Sequence, residues 1–127
     1  MLELRWSICS EEGKWQESLQ IAQTLLQVEP GSPSGWIYQA YALRRIPDGS
    51  VKKAWTALLP AFDKFPKETM ISFNLSCYAA QMNQLDAARV WFKRAIVIGG
   101  KNRKEKIKQM ALEDSDLQPL WDEIKQC

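Results

Sequence analysis

No histidine occurs in this chain of 127 residues, which removes the His-based triads, the imidazole metal ligands and the commonest general base together. Cysteine is scarce. Cys9, Cys77 and Cys127 have no metal-ligand spacing, and an odd number scattered along a helical chain argues against a disulfide framework and for a reducing compartment. No apolar run approaches the ~20 residues that a bilayer-spanning helix needs. The opening MLELRWSICSEEGKW mixes Glu3, Arg5, Glu11 and Glu12 into what a signal peptide would keep apolar. A cytoplasmic location without a membrane partner is therefore expected. Charge of one sign is not in excess either: 17 Lys and Arg against 15 Asp and Glu leave a formal net charge of +2, too little to call for a polyanionic partner.

What is present is repetition. Ala54, Leu58, Ala61 and Pro66 describe one helix face ending in a stop. The same steps give Ala88, Phe92, Ala95 and Gly100 after 34 residues, and Ser18, Ala22, Leu25 and Pro30 come 36 residues before. The first helices repeat as well, since Leu2, Trp6 and Cys9 recur as Trp36, Ala40 and Leu43 after 34 residues. Gly13 separates Leu2, Trp6 and Cys9 from a second periodic stretch, Trp15, Leu19, Ala22, Leu25 and Leu26, which predicts a helical hairpin.

Glu29-Pro30-Gly31-Ser32-Pro33 ends that hairpin, and Ser34 is placed to cap the next helix. Ile46-Pro47-Asp48-Gly49-Ser50 is a turn two residues longer than its counterpart in the following unit. Within the helix expected over residues 51–65, Pro60 lacks an N–H and meets the carbonyl of Thr56, so a kink is expected. A first helix over residues 67–82 turns inward Leu75, Ser76 and Ala79, and Asn83-Gln84 leads to a helix carrying Leu85, Ala88, Phe92, Ala95 and Ile96 that Gly99-Gly100 ends. Beyond it a basic stretch is followed by the apolar set Leu112, Leu117, Leu120, Trp121 and Ile124, which suits a terminal cap.

A period near 34 with two helices per unit is the signature of the tetratricopeptide repeat. The chain resembles that family through Trp36, Ala40, Ala42, Leu43, Ala54, Leu58, Ala61 and Pro66, and again through Leu75, Ser76, Leu85, Ala88, Phe92 and Ala95. The first unit matches through Gly13, Trp15, Leu19, Leu26, Val28 and Pro30; Ser72, Gly100 and Pro60 depart from the pattern. The residues from Met110 to Trp121 are also similar to the ending of some bacterial repeat proteins of this class. The resemblance implies an all-α right-handed superhelix of about three helical hairpins, over residues 1–32, 33–68 and 69–102, with a C-terminal cap over 103–127 in one domain. It also implies no catalysis, no cofactor and no metal, and a partner segment bound in the groove lined by the first helices.

Other constellations have plainer explanations. Ser50-Val51-Lys52-Lys53 has the Ser-x-x-Lys spacing of some acyl enzymes, but Ser50 stands where a helix cap belongs. Gly99-Gly100-Lys101-Asn102 lacks the first glycine and the hydroxyl of a phosphate loop, and a helix precedes it. Asp114-Ser115-Asp116 lacks the glycine and final glutamate of a calcium loop and is read as a capping turn. Trp6, Trp15, Trp36 and Trp121 fall on core spacings, while Trp55 and Trp91 lie off them and are assigned to the convex side.

The resulting expectation is a protein-protein interaction module of adaptor, scaffold or chaperone-like type. Its groove is drawn from Ile37, Tyr41, Arg44 and Arg45, then Met70, Phe73, Asn74, Cys77 and Gln81, then Lys104, Ile107 and Lys108. Those residues suit a peptide with an apolar anchor, provided by contacts to Tyr41 and Phe73, and acidic flanks. Glu3 and Ser7 stand where carboxylate-clamp members of the family carry Lys and Asn, which disfavours a chaperone C-terminus. Two alternatives are a helical-repeat nucleic-acid binder, disfavoured by the low net charge and by a basic stretch without interleaved aromatics, and a structural or oligomerising module. A homodimer through the N-terminal hairpin, using Leu4, Trp6 and Ile8, is also considered.

Overall fold

Ser18, Ala22 and Leu25; Ala54, Leu58 and Ala61; and Ala88, Phe92 and Ala95 are all buried in a computed structural model that describes residues 2–127. The recurrent face is thus an inward face in each case. The described residues are helical with no strand, so the protein is all-α. The order is α1 (Leu2–Glu11), α2 (Trp15–Val28), α3 (Ser34–Leu43), α4 (Val51–Leu58), α5 (Ala61–Lys64), α6 (Thr69–Gln81), α7 (Leu85–Gly99), α8 (Lys101–Leu112), a 3-10 segment (Ser115–Leu120) and α9 (Trp121–Lys125). None of these helices is long and apolar enough to cross a membrane.

The connectors carry the repeat in their hydrogen bonds. The N–H of Lys14 donates to the carbonyl of Cys9 at 2.8 Å, and the N–H of Gln84 to that of Ala79 at the same distance. The residues preceding them, Gly13 and Asn83, share left-handed φ values of 74° and 60°. In the middle connector the N–H of Ser50 reaches back to the carbonyl of Leu43 at 3.1 Å, closing over two additional residues as its length requires. The stops match too. Glu29 before Pro30 has φ −132° and ψ 61°, and Phe65 before Pro66 has φ −131° and ψ 63°, away from the helical region that a following proline disfavours.

Local chemistry refines several boundaries. Ser50 caps α4, its hydroxyl accepting the N–H of Lys53 at 3.0 Å. Pro60 divides the expected helix into α4 and α5, with the Phe62 N–H turning to the carbonyl of Leu59 at 3.2 Å. Ser34 is not a cap but the first residue of α3; its N–H donates to the hydroxyl of Ser32 at 3.3 Å. The helix expected from residue 67 starts at Thr69, because the Glu68 carboxylate takes the cap and accepts the Met70 N–H at 3.4 Å. Gly100, at φ 72° and ψ −174°, lies between α7 and α8 and ends one as it begins the other.

The chain divides into two compact units, Met1–Phe65 and Pro66–Cys127, with the division at the stop before α6. In the first, α2 packs on α1 and α3, and α3 on α4. Gly35 permits the close approach of α3 to α2, since a β-carbon there would sit 3.0 Å from the backbone nitrogen of Leu26. In the second unit α6 packs on α7, and the Ser76 hydroxyl donates to the carbonyl of Ala88 at 2.7 Å across that crossing. The cap closes against them: Leu117, Leu120 and Ile124 are buried. The Trp121 indole N–H donates to the Ala111 carbonyl at 2.9 Å, and Arg89 Nε meets both carboxylate oxygens of Glu123 at 3.0 and 2.9 Å.

Ser72 is fully buried and its hydroxyl has no hydrogen-bond partner among the described residues. An unsatisfied buried hydroxyl costs about 1 to 3 kcal/mol. Ser72→Ala should therefore stabilise the second unit by ~1 kcal/mol in urea unfolding, and a loss of stability would show that the hydroxyl is satisfied.

Candidate partner-binding surface

Four aromatic side chains and one guanidinium converge in the first unit. Helical spacing puts Trp6 on the side of α1 that meets α3, and it stacks on Tyr38 with ring centroids 4.2 Å apart and planes 13° apart. Tyr41, one turn further along α3, meets Trp6 edge-on at 5.6 Å and Trp15 at 5.7 Å. Such offset and edge-to-face arrangements are the favoured ones for aromatic rings. Arg45 then lies over the Tyr41 ring, its guanidinium carbon 3.6 Å from the centroid, with Trp15 at 5.3 Å. Its Nη1 donates to the carbonyl of Tyr41 at 2.9 Å.

The arrangement holds a cation at the end of α3, where the helix dipole favours one. Among the described residues two rings and one carbonyl contact it, all of them neutral groups, and they hold the planar fork in place. Tyr41 remains 38% exposed beside it. Burial pushes the Tyr38 phenol above its ordinary value, with Glu3 adding to the shift and a hydrogen bond with Ser34 opposing it. The hydroxyl is accordingly neutral at physiological pH.

The expected groove residues have divergent environments. In the first unit Tyr41 is exposed, and Ile37, Arg44 and Arg45 are half-buried. In the second unit Gln81 is exposed and Met70, Asn74, Lys104 and Lys108 are half-buried, whereas Phe73, Cys77 and Ile107 are buried. Those three belong to the interior and offer no surface to a partner. The chain itself occupies the neighbourhood: the Cys77 thiol is 3.5 Å from Asp114 Oδ2, and Gln81 Nε2 donates to the carbonyl of Asp116 at 3.3 Å. Lys108 Nζ donates to the carbonyl of Cys127 at 3.0 Å.

The tryptophans are also redistributed. Trp91, expected on the convex side, is buried with Arg94 over its ring at 4.5 Å, and Trp55 is half-buried. Trp6 is buried rather than exposed with Leu4 and Ile8. Trp6 and Trp15, both placed on core spacings by the sequence, join this aromatic cluster: Trp6 is buried as that spacing requires, and Trp15 is half-buried. Periodicity marks the side of a helix that meets protein without distinguishing a closed interior from the wall of a surface. Their recurrence with Tyr38 and Tyr41, four aromatics within two successive first helices and one helix start, was the available signal.

The remaining constellations serve the fold. Asp114 Oδ1 accepts the Asp116 N–H at 3.0 Å, so this segment caps the 3-10 turn. Cys77, Asp114 and Asp116 are the one group of metal-capable side chains among the described residues, with ligand atoms within 4.8 Å; both Asp114 oxygens already accept hydrogen bonds. Lys53 Nζ donates to the carbonyl of Asp48 while the Ser50 hydroxyl serves the helix cap. Comparison with known proteins finds no family model, no curated protein and no solved structure that matches this chain.

Proposed function

We propose that the protein is a non-enzymatic binding module of tetratricopeptide-like hairpins, and that its first unit captures a short peptide segment of a partner protein. The single observation that carries this reading is Arg45, fixed over Tyr41 and beside Trp15 with no charged group among its contacts to the described residues. A segment with an apolar or aromatic residue against Tyr41 and an Asp or Glu against Arg45 fits that chemistry. Aromatics and arginines are the residues that dominate binding energies, the aromatics because they combine large contact area with few rotamers to freeze and arginine because its planar guanidinium matches a carboxylate with two hydrogen bonds. The recurrent connectors and stops support the repeat reading, and the aromatic and arginine face supports the ligand class. Of the two anchors read from the sequence, Phe73 is buried and Tyr41 remains.

Panning a displayed library of short linear peptides against the full chain tests the reading. Enriched sequences should pair an aromatic or large aliphatic residue with Asp or Glu. Tyr41→Ala should weaken them by ~2 kcal/mol. Arg45→Glu should slow association and reduce its salt dependence, since charges steer encounter and are screened by ions. Peptides that bind both variants as tightly and as fast as the parent would place the site elsewhere.

A further inference from the structure

Two stretches of the chain carry charge of opposite sign. Residues 1–32 carry five carboxylates against two cations, whereas residues 85–110 carry eight cations against two carboxylates. Each of these regions also exposes large apolar side chains. In the first, Leu4 is 54% and Val28 60% exposed, and they share a shallow depression with Leu2, Leu25, Glu3 and Glu29. Ile8 is exposed one turn after Leu4, and Glu11 follows on the same stripe of α1. In the second, Val90 and Val97 are exposed two turns apart on α7, Val97 at 78%, with Lys93 and Arg94 exposed between them.

We infer that these two surfaces are partners, and that the occupant of each is a second copy of this chain. The acidic apolar stripe of α1 in one copy meets the basic apolar stripe of α7 in the next. Exposed apolar side chains grouped on one face favour association, and opposite charges around them decide which surfaces meet. Two like surfaces would bring carboxylates against carboxylates, or cations against cations, so the pairing is head to tail. Such a heterologous contact leaves one free surface at each end and builds a ring or an open chain. The inference is independent of the peptide-binding reading above, because none of its residues belongs to the Tyr41 and Arg45 surface.

Sedimentation of the full chain tests it. The parent should show a mass that rises with concentration and falls with added salt, because the charge attraction is screened. Two double variants separate the surfaces: Leu4→Gln with Ile8→Gln, and Val90→Gln with Val97→Gln. All four positions are exposed, so circular dichroism should report unchanged folds. Each variant alone should self-associate at least ~10-fold more weakly, and an equimolar mixture should form a dimer that grows no further, since each copy retains the surface the other has lost. A parent that remains monomeric at several hundred micromolar overturns the inference. So does a Val90→Gln, Val97→Gln protein that associates like the parent, which would indicate pairing of α1 with α1.

Discussion

Gly49→Ala should melt about 12 to 24 °C below the parent, a loss of about 3 kcal/mol in a unit for which each kcal/mol moves the midpoint by roughly 4 to 8 °C. A β-carbon at this position would lie 1.9 Å from the carbonyl oxygen of Leu43, 2.9 Å from Ile46 Cγ1 and 3.0 Å from the carbonyl oxygen of Ile46. Two of those atoms are backbone, so no rotamer change relieves the contact. Both carbonyls also accept the bonds that close the connector, from Ser50 and Gly49 at 3.1 and 2.9 Å. The methyl group would wedge open the turn that delivers the Ser50 cap to α4. Gly31→Ala is the control: nothing lies within 4 Å of its added carbon, and a change within about 0.5 kcal/mol is expected. Calorimetry of the two variants decides the matter; equal midpoints would mean that the connector has room the structure does not give it.

Ala88→Leu should cost a further class of packing, about 1 to 3 kcal/mol, by overfilling the crossing of α6 and α7. Ala88 is fully buried, and its carbonyl receives the Ser76 hydroxyl at 2.7 Å from the opposite helix. A leucine side chain would push the helices apart and stretch that bond, leaving a hydroxyl without its acceptor at ~1 kcal/mol more. Ala87 is half-buried on another face of the same helix, so Ala87→Leu should change stability by less than half as much. Denaturant midpoints for the pair provide the comparison. If both substitutions cost the same, the small residue at position 88 is not what sets the crossing.

The features easiest to read from the sequence were those set by large apolar differences or by covalent constraint. Ser18, Ala54 and Ala88 are buried as the recurrent face requires, Pro60 divides its helix, and the longer middle connector closes over its additional residues. Choices between near-equivalent hydrogen bonds were not readable. Ser32 and Ser34 carry the same hydroxyl, and Glu68 competes for a helix start that spacing put at residue 67. The largest discrepancy lies in α6. Most of its circumference is buried, including Phe73 and Cys77 as well as Leu75, Ser76 and Ala79. A helix packed nearly all round has no outer face to project, and no single-sequence pattern foretells that the 3-10 segment returns to cover it. The Tyr41 and Arg45 surface was half legible. Tyr41 and Arg45 were projected outward from helical spacing and Tyr38 was not, while Trp6, which the same spacing pointed inward, is buried and Trp15 is half-buried.

Gly100 has a consequence for mutational tolerance. Exposed positions ordinarily accept most substitutions, and Gly100 is exposed with nothing within 4 Å of an added β-carbon. Its backbone, at φ 72° and ψ −174°, nevertheless occupies a region that side-chain-bearing residues essentially do not visit. Every codon change that replaces the glycine introduces a β-carbon, so no conservative replacement exists. The joint between α7 and α8 is thus a brittle point on an accessible surface, constrained by the torsional preferences of one residue and not by any neighbour it touches.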